Sequence, residues 1–151
     1  MVVVRQCSVQ ELCEMPAFFA LLELYASESG MAGMPAPKAD IAAYARMESA
    51  GFLKILGAFA DDVLVGFINV LVTVLPHYSA PVATVESLFV EPSSRKLGAA
   101  RELLGAAEAL AKQMSAVGIL VTAALGARLH LVLERTAGYR ESHRVFFKAI
   151  A

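Results

Sequence analysis

The chain has 151 residues, enough for one domain with one substantial core. Its net charge of −1, spread without a basic block, argues against electrostatically driven nucleic-acid binding. Hydrophobic content is 58%, yet no run of about 18 apolar residues escapes charge and turn signals, so no membrane span is expected.

Val2 to Gln6 reads as a first strand. Ser8 is an N-cap candidate, with Glu11 at the capping-box spacing, for one helix reaching Ser27. The start of the chain lacks the long apolar stretch of a signal peptide, and Glu11 and Glu14 follow early. With only Cys7 and Cys13, the expectation is a cytoplasmic protein with two reduced thiols acting as small buried hydrophobes, and no metal site. Gly30 to Pro37 is a Gly, Pro and Met loop, and Met31 to Met34 either shape a pocket or face the core. Asp40 is placed to cap a second helix, Ile41 to Ser49, which Gly51 ends.

A β-rich section follows. Phe52 to Ala60 and Val63 to Leu75 predict a hairpin about Asp61-Asp62. A third strand, Ala83 to Val90, stops at Pro92. A long Ala/Leu helix is predicted from Gly98 to Ala116, a short strand from Ile119 to Ala123, a helix from Arg128 to Thr136, and a final strand from Arg144 to Ile150. The order β-α-α-β-β-β-α-β-α-β implies an α/β (α+β) fold with a mixed, mostly antiparallel central sheet flanked by helices, in a single domain over 1–151.

The most informative stretch is Thr84 to Ala111: a strand, a short loop carrying Arg95-Lys96-Leu97-Gly98-Ala99-Ala100, then the long helix. Free backbone N–H groups and the helix dipole at such a start favour an anion. Gly98 lets the backbone approach a phosphate closely, and Arg95, Lys96 and Arg101 place positive charge near it. Arg95, Gly98 and Ala100 also satisfy the pattern Arg/Gln-x-x-Gly-x-Gly/Ala. With the element order, this resembles the GNAT superfamily of N-acetyltransferases, and the resemblance covers nearly the whole chain.

The resemblance implies acetyl-CoA as co-substrate, with its pyrophosphate on the backbone N–H groups of Arg95, Lys96, Leu97, Gly98, Ala99 and Ala100. It implies that the strand Ala83 to Val90 splays from its neighbour. The freed backbone of Leu88, Phe89 and Val90 would then hold the pantetheine arm, and the N–H of Leu88 or a neighbour would polarise the thioester carbonyl. The acceptor implied is a primary amine, of a small molecule rather than a protein tail, and a homodimer is a further expectation.

For catalysis, Glu86 is the candidate base, a carboxylate in an apolar strand whose burial would raise its pKa; the alternative is a strand carboxylate that faces solvent or pairs with a basic residue. In many members of the family a Tyr on the helix after the short strand protonates the leaving thiolate. Aligning on Gly138 puts Glu134 at that position and Ala127 where the pattern has Asn. The acid role then falls to Glu134 or a water, and a binding protein without turnover is the alternative reading. Tyr139 reads as a core aromatic, and His77, Tyr78, His130 and His143 as surface or structural residues.

Overall fold

A computed structural model of the chain describes residues 1–150. Its elements are β1 (Val2–Cys7), α1 (Val9–Cys13), α2 (Pro16–Glu28), α3 (Ile41–Ser49), β2 (Leu53–Ala60), β3 (Val63–Leu75), β4 (Ala80–Val90), a 3-10 turn (Pro92–Leu97), α4 (Ala99–Gln113), β5 (Ile119–Val121) and α5 (Arg128–Arg135). The sheet order is β1-β2-β3-β4-β5, antiparallel throughout except that β5 runs parallel to β4. The expected mixed, mostly antiparallel α/β architecture is therefore the observed one.

The sheet has an apolar cluster on each face. On one face, α4 lays Ala99, Leu103, Leu104, Ala107, Leu110 and Ala111 against strand residues such as Ile68, Val70, Val85 and Val90. That spacing is a single helical stripe. On the other face, Val9, Leu12, Phe18 and Leu21 of the N-terminal helices pack on Leu53, Ile55, Phe67 and Phe89. Cys7 is buried there, and burial pushes its thiol upward, as suits an inert core residue.

Two local departures from the sequence expectation have physical causes. The first helix is two helices. Ser8 Oγ accepts from Glu11 N–H at 3.0 Å as expected, but the chain breaks at Glu14 and Met15 because Pro16 lacks an N–H for the Leu12 carbonyl. The cap holds for α3 as expected, with Asp40 Oδ1 accepting from Ala43 N–H at 2.9 Å. The Asp61-Asp62 turn is formed with both residues at positive φ, the geometry of a tight type I′ hairpin. The expected last strand does not form. Residues 144–150 carry no regular structure, and Val145 and Phe146 are 80% and 91% exposed. Alternation supplies propensity only; a strand needs a ladder, and this segment pairs with none.

Gly66 has a role in placing the next elements. A Cβ there would sit 2.7 Å from the Phe89 carbonyl oxygen. Its absence lets β3 lie close against the end of β4, where the chain turns toward α4.

Candidate active site

The site is organised by β4. On one side it pairs with β3 along its whole length, and on the other it pairs with β5 only over Ala83 to Val85. Beyond Val85 that pairing stops, because β5 ends at Val121, and residues 86–90 have no strand partner on that side. Glu91 N–H donates to Val65 O, which fixes the alternation: Phe89 directs its backbone groups to β3, while Leu88 and Val90 direct theirs to the unpaired side.

A β-bulge marks the start of this unpaired edge. Asn69 pairs with Ser87 and Val70 with Val85, so Glu86 is the extra residue. A bulge re-aims its side chain and ends regular pairing. Here it turns Glu86 to the face of α2 and α3. The carboxylate accepts from Tyr44 Oη, 3.3 Å from each oxygen, and from Asn69 Nδ2 at 3.2 Å. Glu86 is exposed: the solvent-facing alternative holds and the burial expected of a base does not, since no strand pairs with β4 beyond Val85 to cover it. Asn69 is itself buried, and the buried Ser87 hydroxyl next to the bulge has no partner among the described residues.

Two tyrosines feel this carboxylate. Burial chiefly, then the charge and hydrogen bond of Glu86, push the Tyr44 phenol up to about 12. Tyr25 is raised in the same order of causes, burial and then the Glu86 charge. Tyr44 therefore remains a proton donor to Glu86 at neutral pH. Because the folded value lies above the ordinary 10.0, this contribution to stability is complete below pH 10 and lost as pH rises through about 12. Thermal melts across that alkaline window should fall more steeply for the wild type than for Tyr44→Phe; equal slopes would show that the phenol is not held.

At the end of β4 the chain enters the 3-10 turn. Glu91 Oε1 accepts from Ser93 Oγ at 2.7 Å and Ser94 Oγ at 2.6 Å, which sets the turn. Gly98 follows with φ +81°, and no atom lies within 4 Å of where its Cβ would be. The left-handed backbone requires glycine, and the space above it is open. Arg101 N–H makes the first bond of α4, to Gly98 O at 2.9 Å, so the N–H groups of Ala99 and Ala100 precede the helical ladder. No side chain caps this helix start. Lys96, Leu97, Gly98 and Arg101 are exposed; Ala99 is buried beneath them.

Arg95 is not free at this loop. Its Nε donates to Val90 O at 2.9 Å, and one terminal nitrogen lies 2.8 and 2.7 Å from the two Glu28 oxygens. A cleft of ≈ 800 Å³ runs between α4 and α5, with Arg101, Arg128 and Arg135 among its lining residues.

Several expected residues lie apart from this centre. Glu134 is on an exposed face of α5, 3.5 Å from His130 Nε2, with no polar contact to β4. His130 Nδ1 accepts from Gly126 N–H at 3.0 Å. His77 and Tyr78 stack edge-on in the turn before β4, at the opposite end of that strand from Gly98. His143 Nδ1 lies 2.9 Å from Ser142 Oγ, its neighbour in sequence. Tyr139 is half-buried and donates to Glu108 Oε1 at 2.8 Å, tying the end of α5 to α4; burial, then Glu108, hold its phenol above the ordinary value. Tyr25, Tyr44, Asn69, Ser87 and Glu28 escape a reading of the sequence. Ser87 lies on β4 itself, and nothing local marks the others, since they meet β4 or the turn after it from 17 to 67 positions away.

The end of β4–β5 pairing beside a bulge and an uncapped, glycine-led helix start thus lie at the same end of β4. The Acetyltransferase (GNAT) family model matches residues 18–139, and the chain belongs to that family. It is thus an acyltransferase by class. Solved structures agree in fold. An aminoglycoside acetyltransferase from an uncultured soil metagenomic sample, in complex with sisomicin, superposes with a TM-score of 0.77 at 16% identity, covering 99% of this chain and 96% of that one. AAC(6')-Iy in complex with the bisubstrate analogue CoA-S-monomethyl-acetylneamine gives 0.75 at 22%, covering 100% and 99%. A ribosomal-protein-alanine N-acetyltransferase from Brucella melitensis biovar Abortus 2308 gives 0.70 at 19%, covering 98% and 100%. No curated relative matches significantly. Among the described residues there is no helix long and apolar enough to cross a membrane.

Proposed function

We propose that the chain transfers an acetyl group from acetyl-CoA to a primary amine of a small molecule, by direct attack of the amine on the thioester. The observation that carries this reading is the end of β4–β5 pairing at Val85 beside the Glu86 bulge, together with the uncapped helix start at Gly98 at the same end of β4. The residues present suit such a co-substrate. The N–H groups of Ala99 and Ala100, with Lys96 and Arg101 near them, would hold the pyrophosphate. The backbone groups of Leu88 and the N–H of Val90, whose carbonyl Arg95 already holds, would pair with the amides of the pantetheine arm as an added strand does. The cleft beside α4, lined by Arg101, Arg128 and Arg135 together with Glu102 and Glu108, offers room for the nucleoside end.

The chemistry assigned to the chain is modest. Glu86, held by Tyr44 and Asn69, takes a proton from the incoming ammonium, directly or through water, leaving a neutral amine to attack. The exposure of Glu86 suits this, because a proton so taken can pass to solvent. The Leu88 N–H is the donor placed to stabilise the oxyanion that forms on the thioester carbonyl. The C–N bond forms, the C–S bond breaks, the nitrogen gives its second proton to water, and CoA leaves as a thiolate, which is tolerable without a dedicated acid because a thiol ionises near about 8.5. Glu134 stays a candidate proton donor only through water.

Aminoglycosides head the acceptors to try, since two of the similar structures carry such amines. The test is thiol release from acetyl-CoA across a panel of aminoglycosides, polyamines and small aryl amines. Amine-dependent release is expected. Tight CoA binding with no release above the solvent rate would replace catalysis with ligand binding alone.

A further inference from the structure

Arg95 satisfies the phosphate-loop pattern, yet its guanidinium is turned away to Glu28 and the Val90 carbonyl, and its Cζ lies 5.5 Å from the centre of the Phe89 ring. Glu28 is the last residue of α2, a helix with no basic residue in its last turn. A carboxylate there opposes the helix dipole, so a cation brought from elsewhere has a defined place to sit. The other ion pairs among the described residues join positions at most six apart, whereas this one spans 67. Two parts of the site meet at it. Arg95 belongs to the turn that presents Gly98. Glu28 opens the connection from α2 to α3, the helix whose Tyr44 holds Glu86.

We propose that Arg95 is a positioning residue and not a phosphate ligand: with Glu28 and the Val90 carbonyl it latches the co-substrate loop to the acceptor-side helix. The inference rests on the acetyl-CoA reading above. It makes opposite predictions from a phosphate role. If Arg95 served the phosphates, Glu28 would compete for it, and removing that carboxylate would tighten binding. As a latch, Arg95 needs Glu28, and removing either partner loosens the loop.

The test is calorimetric titration of CoA into wild type, Glu28→Gln, Arg95→Gln, Arg95→Lys and the double variant Glu28→Gln/Arg95→Gln, at low and high salt, with Lys96→Gln as the phosphate-contact reference. Both single Gln variants should weaken CoA by about two- to fivefold, the range of a partly exposed ion pair, and the double variant should be no worse than either. Arg95→Lys should recover only part of the loss, because one ammonium cannot serve both the carbonyl and the carboxylate. The salt dependence of Arg95→Gln should match the wild type, while that of Lys96→Gln should be shallower. Tighter binding by Glu28→Gln, or a shallower salt dependence for Arg95→Gln, would overturn the latch and make Arg95 a phosphate ligand. Unchanged binding in both variants would overturn it alone. A folded wild type that fails to bind CoA would overturn the co-substrate reading, and the latch with it.

Discussion

Gly98→Glu all but abolishes CoA binding while leaving the protein folded: this is the largest effect expected of a single substitution in the chain. Two costs arise. A side chain at φ +81° sits in the left-handed region, at roughly 1–2 kcal/mol. A carboxylate then occupies the open space where a phosphate would lie, and like charges at about 4 Å repel by about 4 kcal/mol at a surface-type dielectric. The strain is common to free and bound protein and lowers stability, whereas the repulsion acts on binding and costs on the order of several hundredfold in affinity, by the usual tenfold per about 1.4 kcal/mol. The measurement is titration of acetyl-CoA and desulfo-CoA into both proteins, with thermal melts alongside. Gly98→Ala, which carries the backbone strain without the charge, should share the loss of stability but keep most of the affinity. Equal affinity of Gly98→Glu and wild type would remove the loop from the binding site.

Glu86→Gln should lower kcat/KM for the amine by about a hundredfold or more, the scale of a lost general base, with CoA affinity little changed. The substitution keeps the size of the side chain and an oxygen for Tyr44 and Asn69, so the bulge should survive. It removes only the acceptor of the proton. The deficit should shrink as pH rises, since a growing share of the amine then arrives neutral. A deficit that does not change with pH would point to Glu86 as a structural carboxylate holding Tyr44. A loss confined to CoA affinity would move it to the co-substrate half.

The legible parts of this molecule are those governed by near neighbours. The strand–turn–helix of β4 to α4 followed from Val85, Phe89, Pro92 and Gly98, since β propensity, a strand stop and a left-handed residue act within a few positions. The Asp61-Asp62 hairpin and the Ser8 and Asp40 caps followed for the same reason. The break at Pro16 was equally local, but the capping box at Ser8 and the unbroken apolar spacing beyond it masked the proline. The segment 144–150 marks the opposite limit: alternation of Val145, Phe147 and Ala149 reports what a strand would look like, not whether an edge is there to receive it. At the site, Glu86 was found as the one carboxylate of an apolar strand. Its bulge was not, because a bulge is a mismatch between two strands and is visible only in their register. The partners Tyr44 and Asn69 arrive from a helix and a strand distant in sequence. Arg95 was read as a free charge because its partner Glu28 is 67 residues away.

The two apolar clusters on opposite faces of the sheet have an evolutionary consequence under the proposed function. The phosphate loop and α4 belong to one face; Tyr25, Tyr44 and the Glu86 carboxylate belong to the other. The amine and the thioester would then be recognised by separate walls that share only β4. Drift in α2 and α3 could retune which amine is accepted while the co-substrate grip stays intact. The Arg95–Glu28 pair is a tether across that division, and the first place where such modularity would be felt as a constraint.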